Sequence, residues 1–213
     1  MRARAFRTVA VLVCAVSSSL VACSRVGGWS RSSSFAIIDS LEAAPGATSS
    51  EFGGVLASDV VTRVAKTVGG QPVTVPTVFQ DAGRVTMHLA LWDPGTLDKP
   101  AAPSTTNTVT LTRYHVAYMR ADGRNIPGVD VPYAFDGALT LSLTGGDAPA
   151  ATFVLVRAQA KDEAPLKALA GGGGAIVIST IAEVTFYGAD QAGRVVTVTG
   201  YIGINFSDWA DPN

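Results

Sequence analysis

Few side chains in this protein are equipped for chemistry. His88 and His115 are its two histidines, and Cys14 and Cys23 its two cysteines. A general base needs a partner within hydrogen-bond reach and a cleft around it. No local motif supplies either: the sequence has no His-Glu-x-x-His pattern and no Gly-x-Ser-x-Gly elbow. Each histidine falls on the parity opposite the apolar set of its stretch, which places it on a surface or an edge. Two histidines also leave a zinc site short unless carboxylates complete it.

Aspartates recur where turns are expected: Asp122, Asp130, Asp136, Asp190, Asp208 and Asp211. Such a cluster at one end of a sandwich can hold calcium through oxygen ligands. The EF-hand spacing is absent, however, and turn aspartates ordinarily bond their own backbone. Gly171 to Gly174 lack the Lys-Ser/Thr of a phosphate loop and lead into Ala175–Ile178, which reads as strand. The aromatics Trp92, Tyr114, Tyr118, Tyr133, Tyr187, Tyr201 and Trp209 offer a stacking surface for sugar or peptide, against their ordinary role in sheets. Tyr187 and Tyr201 share the outward parity of the last hairpin and are candidates for cross-strand neighbours. No catalytic residue, metal ligand or cofactor-binding residue is assigned. The expectation is a protein that is not an enzyme and uses no cofactor.

The sharpest chemistry belongs to one thiol. Arg2, Arg4 and Arg7 precede the apolar run Thr8–Val16, and no further charge occurs until Arg25. That is the layout of a secretory signal peptide. The run is too short and too serine-interrupted for a membrane span, which needs ~20 predominantly apolar residues. It ends in Leu20-Val21-Ala22-Cys23, which resembles the lipobox of bacterial lipoproteins. The resemblance covers residues 1–23. It implies that the Cys23 sulfur, the nucleophile for lipid transfer, is joined to diacylglycerol. It also implies cleavage before Cys23 and acylation of the new amino group. One acyl chain holds a protein only marginally, at ~0.8 kcal/mol per buried CH₂, whereas two or three anchor it. Ser24 stands where that family's inner-membrane retention signal has Asp, so the resemblance implies the outer membrane if the source has one. Cys14 would leave with the signal.

These residues must be positioned by a chain of 213 residues with formal charge −1 and only 15% charged residues. The length suits one domain with additions. The charge balance argues against a nucleic-acid binder, which is normally basic. Cleavage removes 22 residues, three of them arginine and none acidic, and so moves the charge from −1 to −4. Part of the mean hydropathy of +0.30 is therefore export signal. The expected organisation is a signal peptide over 1–22, a lipidated N-terminus and tether over 23–50, and a β-sandwich domain over 51–213. The tether is rich in Ser, Gly and Ala, although Phe35–Leu41 is apolar enough for an early strand.

Beyond residue 51 the pattern alternates with period two. Val85, Met87, Leu89 and Leu91 share one face, as do Leu139, Leu141 and Leu143. Val109 and Leu111 change parity against Tyr114, Val116 and Tyr118, which predicts a bulge near Thr112. Val154 and Val156 oppose Phe153 and Leu155, which predicts a strand covered on both faces. Ala182, Val184 and Phe186, then a turn with Asp190 and Gly193, then Val196 to Phe206 predict a hairpin. Residues 161–169 predict one short helix. The sum is an all-β fold, a sandwich of about seven or more strands. Residues 113–123, RYHVAYMRADG, resemble the third strand of fibronectin type III and related immunoglobulin-like domains, and 153–158, FVLVRA, a later strand. This implies an immunoglobulin-like β-sandwich.

The whole is similar to uncharacterised bacterial surface lipoproteins. The expected function is a lipid-anchored, non-catalytic protein of the bacterial cell envelope, serving adhesion, scaffolding or surface interaction. Its expected partners are the membrane, through Cys23, and protein or glycan. The alternatives are a calcium- or glycan-binding module, or a filament subunit joined by strand exchange with residues 35–41 as donor.

Overall fold

Period-two alternation turns most of the chain into strands. A computed structural model describes residues 32–48 and 50–209; the expected signal peptide and Cys23 lie outside the described residues. In chain order the strands are β1 (Ser34–Ala44), β2 (Val55–Asp59), β3 (Thr62–Val68), β4 (Gln71–Thr77), β5 (Asp81–Leu91), β6 (Gly95–Thr96), β7 (Lys99–Pro100), β8 (Val109–Met119), β9 (Phe135–Leu143), β10 (Ala150–Val156), β11 (Ile178–Asp190) and β12 (Val195–Ser207). Two sheets form a sandwich: β1-β5-β10 faces β2-β12-β11-β8-β9. Every neighbouring pair is antiparallel except β2 and β12, which run parallel. The fold is all-β, as the alternation predicts.

The predicted faces are found. Val85, Met87 and Leu89 of β5, Leu139, Leu141 and Leu143 of β9, and Ala182, Val184 and Phe186 of β11 are buried between the sheets. Thr112 is the extra residue of a bulge against β11, where β8 passes from Leu111 to Arg113 while β11 passes only from Gly188 to Tyr187; against β9 the register shifts the other way, from Leu141 to Ala138 over the same step. That bulge lets Val109 and Leu111 point inward together with Tyr114, Val116 and Tyr118. In β10, Phe153 and Leu155 face the core while Val154 is half-buried. The β11–β12 turn closes as expected. The Asp190 carboxylate accepts from the Ala192 and Arg194 backbone N–H groups, and Gly193 takes φ +78°.

Two boundaries move. The tether expected to run to residue 50 gives way to sheet from Ser34, because Phe35–Leu41 does form a strand. β1 pairs with β5 from Ser34↔Leu91 to Ala44↔Ala82, with Asp39 bulged out. Its Ile38 and Leu41 pack on β12 at Gly200, where a Cβ would come within 2.8 Å of Ile38 Cδ1. Glycine there makes the room that β1 occupies. Residues 35–41, the candidate donor, thus pair within their own chain. The helix expected over 161–169 becomes a single turn, α1 (Ala158–Lys161), and a 3₁₀ turn (Leu166–Leu169). Leu166 and Leu169 are buried and close one end of the sandwich.

β3 and β4 form a separate two-stranded sheet, an arm that leaves β2 and returns to β5.

The core contains a tyrosine whose hydroxyl is bonded internally. Tyr118 donates to the Leu155 carbonyl at 2.7 Å and is almost wholly buried. Burial pushes its pKa far above the ordinary tyrosine value. Folded Tyr118 therefore keeps its proton where the unfolded chain loses it. The resulting stability is present below pH ~10 and is lost as pH rises above it. Tyr118→Phe should cost about 0.5–1.5 kcal/mol at neutral pH and should flatten the alkaline loss of stability. Ultraviolet titration of the native protein checks this. Ionisation of all five tyrosines near pH ~10 without unfolding would contradict it.

Candidate functional site

The two histidines lie on the outer faces of different sheets. His88 of β5 places Nδ1 2.7 Å from Oδ1 of Asp39, the bulged residue of β1. His115 of β8 places Nδ1 3.3 Å from Oδ1 of Asp136 on β9. Each is a local exposed pair with a carboxylate, and the fold does not bring them together.

The turn aspartates are dispersed and locally engaged. Asp122 accepts from both Arg120 and Arg124, whose guanidiniums hold its carboxyl well below the usual carboxylate range. Asp130 accepts from the Ile126 backbone N–H, and Asp208 from that of Gly171. Asp211 lies outside the described residues. Among the described residues no group of three His, Cys, Asp or Glu could hold a metal.

The aromatics do not share one surface. Tyr114 and Tyr118 are core residues. Trp92 packs on Phe35 with centroids 4.3 Å apart. Trp209 is pinned at the end of the fold, donating its N–H to Asp59 and its indole N–H to the Ser58 carbonyl. Tyr187 and Tyr201 both face outward, but they are not cross-strand neighbours. The register sets Tyr187 against Thr197 and Tyr201 against Glu183.

A concavity of about 580 Å³ follows the Thr112 bulge on the outer face of the larger sheet. Its walls include Thr110, Thr112, Arg113, Tyr187 and Gln191. The Arg113 guanidinium lies 4.4 Å from the Tyr187 ring centroid. A sugar arriving there meets that cation before the ring.

Sequence reasoning missed a polar centre that is buried. Asp81 opens β5 and Lys161 closes α1, and each side chain is only 1% exposed. Lys161 Nζ donates to Asp81 Oδ1 at 2.8 Å, and the Gly46 N–H donates to the same oxygen at 2.9 Å. The Ser58 hydroxyl donates to Oδ2 at 2.6 Å. One carboxylate thus ties together the β1–β2 connection, β2, β5 and α1. Two clefts adjoin it, one of about 160 Å³ lined in part by Pro45, Phe79, Asp59 and Trp209, and one of about 490 Å³ lined in part by Gln80, Tyr114 and Phe153. With both carboxylate oxygens engaged and the ammonium paired, the cluster is arranged as a latch. Its partners are 80 residues apart in sequence, so no local pattern announces it.

No family model, curated protein or solved structure matches this chain.

Proposed function

We propose that this is a lipid-anchored, non-catalytic β-sandwich protein of the bacterial cell envelope, presenting its domain for adhesion, scaffolding or surface interaction. The observation that carries the reading is Leu20-Val21-Ala22-Cys23 at the end of a basic-then-apolar N-terminus. Lipid on Cys23 holds the chain to the outer membrane if the source has one. Eight residues, 24–31, separate Cys23 from the first described residue, Ser32. At ~3.3–3.6 Å per extended residue they keep the domain within about 30 Å of the bilayer.

The strand order supports an immunoglobulin-like assignment. β1, β5 and β10 stand as the A, B and E strands, and the final hairpin lies beside β8 as F and G lie beside C. The non-catalytic reading is supported by how the titratable groups are used: each histidine and turn aspartate described above is engaged in a local pair or turn.

Fractionation in a bacterial host tests the anchor. The natural chain should pellet with membranes, and its N-terminal peptide should begin at Cys23 and carry acyl mass. Cys23→Ser should shift the protein to the soluble fraction. Equal release of both, or an N-terminus retained at Met1, would overturn the reading.

A further inference from the structure

We propose that the outer edge of β3 takes up an extended acidic segment of a partner protein as an added strand. The proposal deepens the surface-interaction reading above and rests on it only for where the partner is met.

The two edges of the β3–β4 arm are chemically unequal. Gly69 and Gly70 form a two-residue turn with φ +60° and +81°, closed by the pair Val68↔Gln71. In such a hairpin the closing pair exchanges hydrogen bonds, and bonded and non-bonded pairs then alternate. The non-bonded pairs are Thr67↔Pro72, Ala65↔Thr74 and Arg63↔Pro76. Their backbone groups point away from the hairpin. On β4 both prolines fall in this outward set and offer no N–H, so that edge is blunted against pairing. On β3 the outward set keeps the N–H and C=O of Ala65 and Thr67. Among the described residues no strand other than β4 pairs with β3.

The arm also has the composition of something that docks. A lone two-stranded hairpin is marginal in water. This one exposes Val68 by 60% and Val73 by 43%. Strand addition supplies backbone bonds along one edge and side-chain contacts on one face.

Charge selects the occupant. Residues 62–77 contain Arg63 and Lys66 and neither Asp nor Glu, on a mature chain that is otherwise acidic. A second copy pairing antiparallel about Ala65 would bring the two Lys66 side chains close together, which is repulsive. An acidic strand meets complementary charge instead.

The test uses the full chain in detergent and a synthetic ten-residue peptide of alternating Val and Glu. The control peptide carries Lys in place of Glu. The acidic peptide should slow amide exchange at Ala65 and Thr67 by ~10-fold or more, and the lysine peptide should not. Ala65→Pro places proline in the outward set, where β4 already tolerates it, so the hairpin bonds remain while peptide protection is lost. Thr74→Pro, on the blunted edge, should leave protection intact. No protection, equal protection by both peptides, or protection that survives Ala65→Pro would overturn the proposal. So would a dimer in sedimentation that Ala65→Pro dissolves, since the edge would then belong to a second copy. Cys23→Ser should bind the peptide unchanged. Loss of membrane partition with peptide protection retained therefore tests the anchor separately from the edge.

Discussion

Lys161→Ala is expected to destabilise the domain by about 3–5 kcal/mol, the usual effect of removing one partner from a buried ion pair. The reason is what remains. Asp81 would be left without its cation in a site where it is 0% exposed, with only the Gly46 N–H and the Ser58 hydroxyl as partners. At roughly 2–4 °C per kcal/mol for a domain of this size, the melting temperature should fall by ~6–20 °C. The double variant Asp81→Asn with Lys161→Met separates desolvated charge from lost packing. The Asn carbonyl oxygen still accepts from Gly46, the Ser58 hydroxyl can rotate to accept from the Asn amide, and Met retains most of the lysine stem's volume. Replacing both charges is often close to neutral, so the double variant should recover most of the loss. Thermal unfolding followed by far-ultraviolet circular dichroism measures both. A single variant within ~0.5 kcal/mol of the natural protein, the range of ordinary surface changes, would show that the pair does not act as a latch.

What was legible in the sequence was whatever depends on residues close together. The parity change between Leu111 and Tyr114 exposed the Thr112 bulge, because a side-chain period of two cannot be broken without an extra residue. Asp190 and Gly193 marked the last turn through their own hydrogen-bonding and φ preferences. The β1 signal in Phe35–Leu41 was visible, but the Ser- and Gly-rich residues before it drew the tether boundary too far along. The arm was overlooked for the opposite reason. Its strands carry Lys, Arg, Thr and Pro, so no apolar stripe marks them. Only Val-Gly-Gly-Gln, a two-residue turn between β-branched runs, announced the hairpin. Pairings between distant residues were not legible at all. Asp81 and Lys161 meet only because β10 leads α1 back over the start of β5, so the ion pair follows from topology. Tyr187 and Tyr201 were displaced as neighbours by the same limit: parity fixes a face, and register alone fixes an opposite number.

Gly83→Val and Gly137→Val should each cost about 3 kcal/mol, the upper end of the range for overpacking a core. Both glycines lie directly under an aromatic ring of the adjoining strand. Gly83 of β5 pairs with Phe153 of β10, and Gly137 of β9 with Tyr114 of β8. A Cβ on Gly83 would come within 2.5 Å of the Phe153 ring, and one on Gly137 within 2.2 Å of the Tyr114 ring. Neither ring has room to withdraw. Tyr114 and Phe153 meet across the sandwich with centroids 5.0 Å apart, and Phe186 stands 5.4 Å from Phe153, edge to face. Tyr114 also accepts a hydrogen bond from the Val154 N–H at 3.2 Å, so moving its ring unmakes a link between the two sheets. The glycines are thus the complement of the rings, each absent side chain giving an aromatic its place. Gly54, where an added Cβ meets nothing within 4 Å, is the control; Gly54→Ala should stay within ~0.5 kcal/mol. Shrinking the ring should relieve the clash. Phe153→Leu added to Gly83→Val should cost less than the two separate losses together, by ~0.5–3 kcal/mol for residues in contact. Urea unfolding followed by near-ultraviolet circular dichroism resolves the series. Gly83→Val as mild as Gly54→Ala, or strict additivity with Phe153→Leu, would refute the account, because both outcomes require a ring free to leave the space above the glycine.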